Sequence, residues 1–183
     1  MKPSDIQTII LGGGCFWCTE AIFTALRGII SVTPGYAGGT TANPSYDQVC
    51  SGTTGHAEVI QVEFDSSIIP LTDVLDIFFH THNPTSRNQQ GNDIGTQYRS
   101  IILYTNQDQH QTINKIIGKL NSSKEFDRPI ITEVKPLDHF YPAENYHRDY
   151  YLKNTNQPYC QIIISPKLQH LKQKYASQLK PSP

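Results

Sequence analysis

The chain has 183 residues, a length typical of one domain, with 15 Lys and Arg against 16 Asp and Glu. The formal net charge of −1 argues against nucleic acid as the main partner, because binding to phosphates requires an excess of basic residues. The apolar runs at 9–11 and 162–164 are far too short to span a membrane, and the N-terminus lacks the continuous apolar segment of a signal peptide. We therefore expect a cytoplasmic protein, and the absence of heptads favours a monomer.

Hydrophobic periodicity and Gly or Pro positions predict an alternation of strands and helices. In chain order we predict a strand at 8–11, a helix at 15–27, a strand at 29–36 broken at Pro34 and Gly35, a strand at 57–64, a helix at 71–82, a polar loop at 83–98, a strand at 99–104, a helix at 107–121, a strand at 130–135 and a helix at 143–153. This order predicts an α+β fold, a two-layer α/β sandwich in which helices flank a mixed β-sheet, with long loops and a C-terminal tail.

We predict a single catalytic domain over residues 1–183, with a core at about 7–164 and a helical tail at 165–183. In the tail Leu168, Leu171 and Tyr175 share one helical face, while the lysines carry the opposite one. A terminal helix docked on the body with a solvated basic face is the simpler interpretation, compared with a membrane-binding or partner-binding helix.

The four cysteines, at 15, 18, 50 and 160, are too few and too unevenly spaced for a secreted disulfide scaffold. Cys15 follows three glycines at the start of a predicted helix, where free backbone N–H groups and the helix dipole favour a thiolate. This placement is typical of a nucleophilic or redox thiol. The alternative is a glycine turn that carries two buried cysteines.

The spacing Cys15-x-x-Cys18 also fits two other kinds of site. One is a thioredoxin-like dithiol, which has the same position between a strand and a helix. The other is a zinc site, but zinc prefers four ligands in closely spaced pairs, and the only other close pair is His80-x-His82.

Two further clusters carry polar groups suited to catalysis. Glu58 begins a predicted strand. If its side chain points into an apolar pocket, burial raises its pKa and the carboxyl can donate a proton. The alternative is a solvated carboxylate at a strand edge. Asp93 and Tyr98 lie on a glycine-flanked loop where they can orient a polar substrate atom; the alternative is an ordinary turn.

Taken together, the motifs closely resemble the A type of peptide methionine sulfoxide reductase over about residues 7–168. The motifs that carry the resemblance are Gly13-Gly-Cys15-Phe-Trp-Cys18-x-Glu20, Gly35-Tyr36-x-Gly-Gly, Asn43-Pro-Ser-Tyr46-x-x-Val-Cys50-x-Gly-x-Thr-Gly-His56-Ala-Glu58, Gln90-Gly-Asn-Asp93-x-Gly-Thr-Gln-Tyr98-Arg-Ser100 and Ala143-Glu-x-Tyr-His147. The motifs are long and occur in one order, so a chance match is remote.

The resemblance implies an oxidoreductase that reduces methionine S-sulfoxide, free or in proteins, without a metal or organic cofactor. It implies protein repair under oxidative stress. By correspondence of motifs, the nucleophile is Cys15, the proton donor is Glu58, the phenols that bind oxygen are Tyr46 and Tyr98, and the supporting carboxylate is Asp93. Phe16 and Trp17 match the aromatic wall that receives the methyl group.

The implied product is a Cys15 sulfenic acid, which a second thiol converts to a disulfide that thioredoxin then reduces. Cys160 stands where the family commonly carries a resolving cysteine, but the residues after it are apolar and resemble an ordered segment. Cys18 is the alternative, since residues three apart on a helix share a face, and direct reduction by an external thiol is a third. We predict that Cys50 packs in the core.

Overall fold

The computed structural model describes residues 5–181 and consists of a six-stranded sheet with helices packed on it. The strands are β1 (Ile6–Gly13), β2 (Ile29–Ala37), β3 (Ala57–Asp65), β4 (Gln89–Gln90), β5 (Asp93–Ile94), β6 (Ser100–Tyr104), β7 (Glu133–Pro136) and β8 (Phe140–Pro142). The helices are α1 (Phe16–Thr24), α2 (Tyr46–Cys50), α3 (Leu71–Thr81), α4 (Gln107–Ser123), α5 (Tyr150–Lys153) and α6 (Ser165–Lys174), with a π-helical turn at Cys160–Ile164 directly before α6.

The order of strands in the large sheet is β7-β6-β1-β3-β2-β8, and β4 pairs with β5 in a separate hairpin. All pairs in the large sheet are antiparallel except β6 with β7, which α4 connects. The predicted α+β fold with a mixed sheet is therefore confirmed.

Alternation along the central strands divides the core between the two faces of the sheet. Ile60, Val62 and Phe64 of β3 share one face and belong to the main core cluster. Ala57 and Val59 belong to a smaller cluster on the other face. Glu58 lies two residues before Ile60, so the alternation of side chains along the strand directs its carboxyl to the face of the main core.

The predicted break of the second strand at Pro34 and Gly35 is wrong, because β2 pairs with β3 along its whole length. In a strand the N–H and C=O of one residue point to the same side. The carbonyl of Pro34 accepts a hydrogen bond from the N–H of Ala143, on the side away from β3. The N–H that proline lacks would therefore point away from β3, and the β2–β3 pairing loses no bond.

The predicted helix at 143–153 is also wrong. The segment forms a 3₁₀ turn at Asn145–His147 and the short helix α5, separated by Asp149 in a left-handed conformation with φ 55°. The carboxylate of Glu20 accepts hydrogen bonds from the N–H groups of Asp149 (2.9 Å) and Tyr150 (3.4 Å). These bonds hold the start of α5 against α1, and a tertiary contact thus overrides the local periodicity.

The polar segment at 83–98 is less irregular than predicted, because it contains β4, β5 and a 3₁₀ turn at Thr96–Tyr98. In the C-terminal tail Leu171 and Tyr175 are buried in the main core, as the periodicity predicts, and Leu168 packs against it. Within residues 5–181 no helix has both the length and the apolar character that crossing a bilayer requires.

Candidate active site

Cys15 lies at the junction between β1 and α1 and retains 8% of its surface exposed. Gly14, with φ +100°, makes the sharp turn that places Cys15 at the position preceding the helix, and a side chain at Gly14 would meet the Cβ of Gln90 at 2.8 Å. The sequence predicts that the helix end favours a thiolate. Burial is the stronger effect, and together with a hydrogen bond to Cys18 and the charge of Glu58 it raises the pKa of Cys15 well above its usual value.

Glu58 is 1% exposed, which confirms the buried alternative over a solvated strand edge. The N–H of Phe16 donates to Glu58 Oε2 at 3.0 Å, so the carboxyl is held at the first residue after Cys15. Burial raises the pKa of Glu58 to about 8, against the opposing effect of that N–H bond and with a further increase from Asp93. The carboxyl therefore carries a proton at neutral pH.

Tyr46 and Tyr98 approach this carboxyl from two different elements. Tyr46 is the first residue of α2 and stacks on Phe16, with ring centroids 6.4 Å apart. Tyr98 ends the 3₁₀ turn and packs against the cluster that contains Cys15. In both phenols burial, followed by other charges including that of Glu58, raises the pKa above its usual value. Both are therefore neutral hydroxyl donors.

Asp93 is linked to the cysteine cluster through Tyr159. Its Oδ2 accepts a hydrogen bond from the hydroxyl of Tyr159 at 2.9 Å, and the same hydroxyl lies 3.8 Å from Cys18 Sγ. The carboxylate thus orients a phenol that contacts the cysteine cluster.

Trp17 belongs to an ordered group of aromatic rings. Its indole stacks on Tyr150 with ring centroids 3.7 Å apart and an interplanar angle of 7°. Its Nε1–H donates to His147 Nδ1 at 3.1 Å, which requires that nitrogen to be unprotonated, and burial lowers the pKa of His147 accordingly. Phe16 is buried and lies 4.9 Å from the His147 ring. Two contacts therefore fix the indole plane.

Glu144 connects this group to Tyr46. Its Oε1 accepts a hydrogen bond from the N–H of Tyr46 at 2.9 Å, and its Oε2 accepts one from the hydroxyl of Tyr36 at 2.7 Å. Glu144 therefore anchors the start of α2, which positions the Tyr46 ring.

Three of the four cysteines lie in one buried cluster. Cys15, Cys18 and Cys160 pack together with Ile164, and the three cysteines are free thiols. The prediction that Cys50 packs in the core is wrong: Cys50 is exposed, because it ends the short helix α2 and only Val49 of that helix is buried.

The structure thus brings together every residue that the sequence analysis assigned to the site. It adds residues that the sequence analysis left without a role, namely Glu20, Tyr36, Glu144, His147, Tyr150 and Tyr159. Glu144 and His147 lie within a motif quoted above, so the signal was present. Their partners were not visible, because each contact joins residues far apart in the chain.

Among residues 5–181 no three His, Cys, Asp or Glu side chains are grouped so that they could hold a metal ion. The chemistry that the described site offers is that of thiols beside a protonated carboxyl and neutral phenols.

Comparison with known proteins identifies the family. The family model described as peptide methionine sulfoxide reductase matches residues 7–180. The chain is 54% identical over 172 residues to peptide methionine sulfoxide reductase MsrA of Psychrobacter sp., covering 93% of this chain and 97% of that one. It is 49% identical over 175 residues to MsrA of Saccharolobus solfataricus, covering 96% and 98%.

Solved structures agree with this assignment. Mxr1 from Saccharomyces cerevisiae in reduced form has a TM-score of 0.78 at 34% identity, covering 87% of this chain and 91% of that one. Mxr1 in complex with Trx2 has a TM-score of 0.56 at 25% identity, covering 81% and 87%. The family model and these similarities extend over nearly the whole chain, and the protein therefore belongs to the peptide methionine sulfoxide reductase family.

Proposed function

We propose that this protein reduces methionine S-sulfoxide, free or within polypeptides, with Cys15 as nucleophile and Glu58 as proton donor. The observation that carries the proposal is the protonated carboxyl of Glu58, which the N–H of Phe16 holds next to Cys15. A sulfoxide oxygen is a poor leaving group unless it receives a proton. A thiol alone is therefore insufficient, and a neutral acid beside it supplies what the reaction lacks.

Protonated Glu58 also assists the nucleophile. The negative charge of ionised Glu58 is one of the causes that raise the pKa of Cys15, after burial and the bond to Cys18. When Glu58 is neutral that charge is absent, and the Cys15 thiolate forms more easily. The same proton thus activates the oxygen and lowers the free energy of forming the Cys15 thiolate.

The phenols of Tyr46 and Tyr98 hold the oxygen while negative charge develops on it. Both are neutral donors close enough to the buried carboxyl for its charge to raise their pKa values, and hydrogen bonds to a developing charge in a water-poor site are strong. The oxygen therefore has three donors, two phenols and one carboxyl.

Phe16 and Trp17 supply the apolar contact for the S-methyl group. Aromatic rings bind methyl and sulfur groups by dispersion and sulfur–ring contact. The Trp17 plane is fixed by Tyr150 and His147, so the methyl group meets a surface that is already ordered.

The Cys15 sulfur bonds to the sulfoxide sulfur while the protonated oxygen leaves as water. Water then attacks Cys15 Sγ and displaces methionine, so Cys15 becomes a sulfenic acid and the sulfoxide sulfur has gained the two electrons that Cys15 has lost. A second thiol, Cys160 or alternatively Cys18, displaces water and forms a disulfide. A dithiol of the thioredoxin type then reduces it, as the structure of yeast Mxr1 with Trx2 supports. This cycle needs a supply of reduced dithiol, which the cytoplasm provides, and we therefore propose a cytoplasmic location.

The proposal is tested by supplying thioredoxin, its reductase and NADPH with either methionine S-sulfoxide, methionine R-sulfoxide or insulin disulfide. We expect turnover of the S epimer alone. Cys15→Ser should abolish that turnover, whereas Cys50→Ser, which removes an exposed thiol outside the cluster, should retain it. Reduction of insulin without sulfoxide turnover would instead favour a general thiol–disulfide exchange protein that uses Cys15 and Cys18.

A further inference from the structure

Trp17 and Glu20 lie three residues apart on α1, so their side chains share one face of the helix. Both contact the start of α5. The Trp17 indole stacks on the ring of Tyr150, with centroids 3.7 Å apart and an interplanar angle of 7°. The Glu20 carboxylate accepts hydrogen bonds from the backbone N–H groups of Asp149 at 2.9 Å and Tyr150 at 3.4 Å. Glu20 therefore holds the backbone of the residue whose ring supports Trp17.

We propose that Glu20 is a positioning residue for the S-methyl group of the substrate, because it fixes the backbone from which Tyr150 orients the Trp17 indole. This inference rests on the proposed function, in which Trp17 receives that methyl group. Glu20 is 2% exposed and is bonded to backbone N–H groups. It therefore acts through Tyr150 and not by contact with the substrate.

The conformation at Asp149 depends on a contact from outside its own segment. Asp149 has φ 55°, a left-handed conformation that is unfavourable for a residue with a side chain. Lys153 donates to the carbonyl of Arg148 at 2.7 Å and lies 3.9 Å from the Asp149 carboxylate, but these contacts stay within the segment. The bond from the Asp149 N–H to Glu20 joins the segment to α1. Loss of this carboxylate therefore weakens the attachment of the turn to the helix that carries Trp17.

The packing around α5 leaves room for Tyr150 to move. Each of the four residues of α5 is half-buried or exposed. A cavity of about 360 Å³ adjoins Glu20, and its lining includes Ala21 of α1, Leu152 of α5 and Leu168 of α6. α5 can shift into this space when its bonds to Glu20 are lost. The carboxylate therefore supplies a restraint that apolar packing does not.

Titration of Glu20 gives this restraint a measurable pH dependence. Burial raises the pKa of Glu20 to about 7, against the effect of the two backbone hydrogen bonds. A protonated carboxyl has one good acceptor oxygen instead of two, so one of the N–H groups loses its partner as the pH falls through about 7. The other charged or titratable groups that face the carboxyl are Asp149, which raises this pKa, Lys153, which lowers it, and Tyr151, Lys172 and Lys180, which line the same cavity.

Two other groups near Trp17 also titrate, and the experiment separates them from Glu20. Cys18, with a pKa of about 7, belongs to the cluster against which Trp17 packs. The parent protein is therefore Cys18→Ser, which retains the nucleophile Cys15. Burial lowers the pKa of His147, which accepts the Trp17 N–H, so His147 is protonated only at lower pH.

The test measures single-turnover methionine formation against the concentration of methionine S-sulfoxide, in the full-length parent and in the parent with Glu20→Gln, at pH 6, 7 and 8. At pH 8 Glu20→Gln should raise the half-saturating concentration by about three- to tenfold, with the saturated rate within twofold of the parent. Glutamine, like the protonated acid, keeps one acceptor oxygen. The half-saturating concentration of the parent should therefore rise towards that of Glu20→Gln between pH 8 and pH 6. Glu63→Gln, which changes a carboxyl bonded to Ser31, is the matched control and should equal the parent.

Tyr150→Ala shows whether Glu20 acts through Tyr150. Added to Tyr150→Ala, Glu20→Gln should cause no further rise in the half-saturating concentration. The emission of Trp17, the only tryptophan, should change with a midpoint near pH 7 in the parent and not in Tyr150→Ala. If Glu20→Gln lacks a native melting transition, this comparison of emission decides the matter by itself.

Equal half-saturating concentrations in Glu20→Gln and the parent at pH 8 overturn the proposal. So does an effect of full size in the Tyr150→Ala background, or a parent emission that does not change near pH 7. In each of these results the release of methionine still upholds the proposed function. A parent that releases no methionine refutes the function itself.

Discussion

The backbone N–H of Phe16 holds the Glu58 carboxyl at 3.0 Å, one residue beyond the sulfur-bearing Cys15. β3 supplies the acid and the start of α1 supplies both the thiol and the N–H that positions the acid. The thiol and the carboxyl that we propose to react are therefore fixed relative to each other by secondary structure rather than by a flexible loop.

Glu58→Gln should lower the rate constant for methionine formation by about 100- to 10,000-fold, because the amide keeps the bond to Phe16 but has no acidic proton to transfer to the oxygen. Rapid-quench measurement of methionine formation with excess substrate checks this. Retention of a native melting transition is the control. A rate within threefold of the wild type would mean that another group protonates the oxygen.

The pH dependence follows from the raised pKa of Glu58, which is about 8 in the folded protein. The reacting form needs a protonated Glu58 and an ionised Cys15, whose pKa lies well above its usual value. The rate of the chemical step in the wild type should therefore rise with pH below pH 8 and level off above it, because the loss of protonated Glu58 offsets the gain in thiolate. The remaining activity of Glu58→Gln should keep rising above pH 8. A wild-type rate that keeps rising from pH 8 to pH 9.5 contradicts the assignment.

The same group makes stability depend on pH. The folded-state pKa of Glu58, about 8, lies above the ordinary glutamate value of 4.5, so the folded protein binds this proton more tightly than the unfolded chain does. This contribution is complete below pH 4.5 and is lost as the pH rises through about 8. Between pH 5 and pH 9 the wild type should lose roughly 4 kcal/mol relative to Glu58→Gln, measured by urea unfolding. An unchanged difference would indicate that the carboxyl is solvated.

Tyr150→Ala should raise KM for methionine sulfoxide by about tenfold. An aromatic pair contributes roughly 0.5–1.5 kcal/mol, and without it the Trp17 indole is no longer held in a fixed orientation for the methyl group. Tyr150→Phe keeps the stack and is the matched control. Trp17 is the only tryptophan in the chain, so its fluorescence reports the loss of the stack directly. Equal KM values for the Ala and Phe variants would show that the stack does not position the indole.

Glu144→Gln should lower kcat by about tenfold, because a hydrogen bond to a charged group is worth roughly 1.5–3 kcal/mol and this carboxylate anchors the start of α2 beneath Tyr46. Tyr36→Phe removes only the second partner of Glu144 and should have the smaller effect. Steady-state kinetics of both variants distinguish the two contributions. A larger loss in Tyr36→Phe would assign the anchoring role to Tyr36.

The sequence could predict most of the fold because apolar periodicity and Gly or Pro positions are local signals. It failed where a distant group decided the conformation. Pro34 suggests a break, yet the bond it lacks points away from β3. The residues 143–153 have helical periodicity, yet the carboxylate of Glu20 turns the chain at Asp149.

In the site, too, local sequence signals identify the residues, whereas effects of distant residues do not show in the sequence. The positions of Cys15, Glu58 and the two phenols follow from motifs, but their electrostatics do not. A helix start suggests a Cys15 thiolate, whereas the burial of the whole cluster, visible only in three dimensions, opposes it. Tyr159 could not be found from sequence, because its contacts with Asp93 and Cys18 join three separate segments.

In the proposed reaction Cys15 attacks the sulfoxide sulfur while Glu58 protonates the oxygen. The most direct measurement is methionine release within one turnover at pH 7, combined with trapping of the sulfenic acid by a selective nucleophile. The first protein is the double variant Cys18→Ser/Cys160→Ser, which retains Cys15. The second is the same variant with Glu58→Gln added. We expect one methionine per chain with the trapped adduct on Cys15 in the first protein, and the same product formed at least 100-fold more slowly in the second. Methionine release without an adduct on Cys15, or at equal rates in the two proteins, would contradict it.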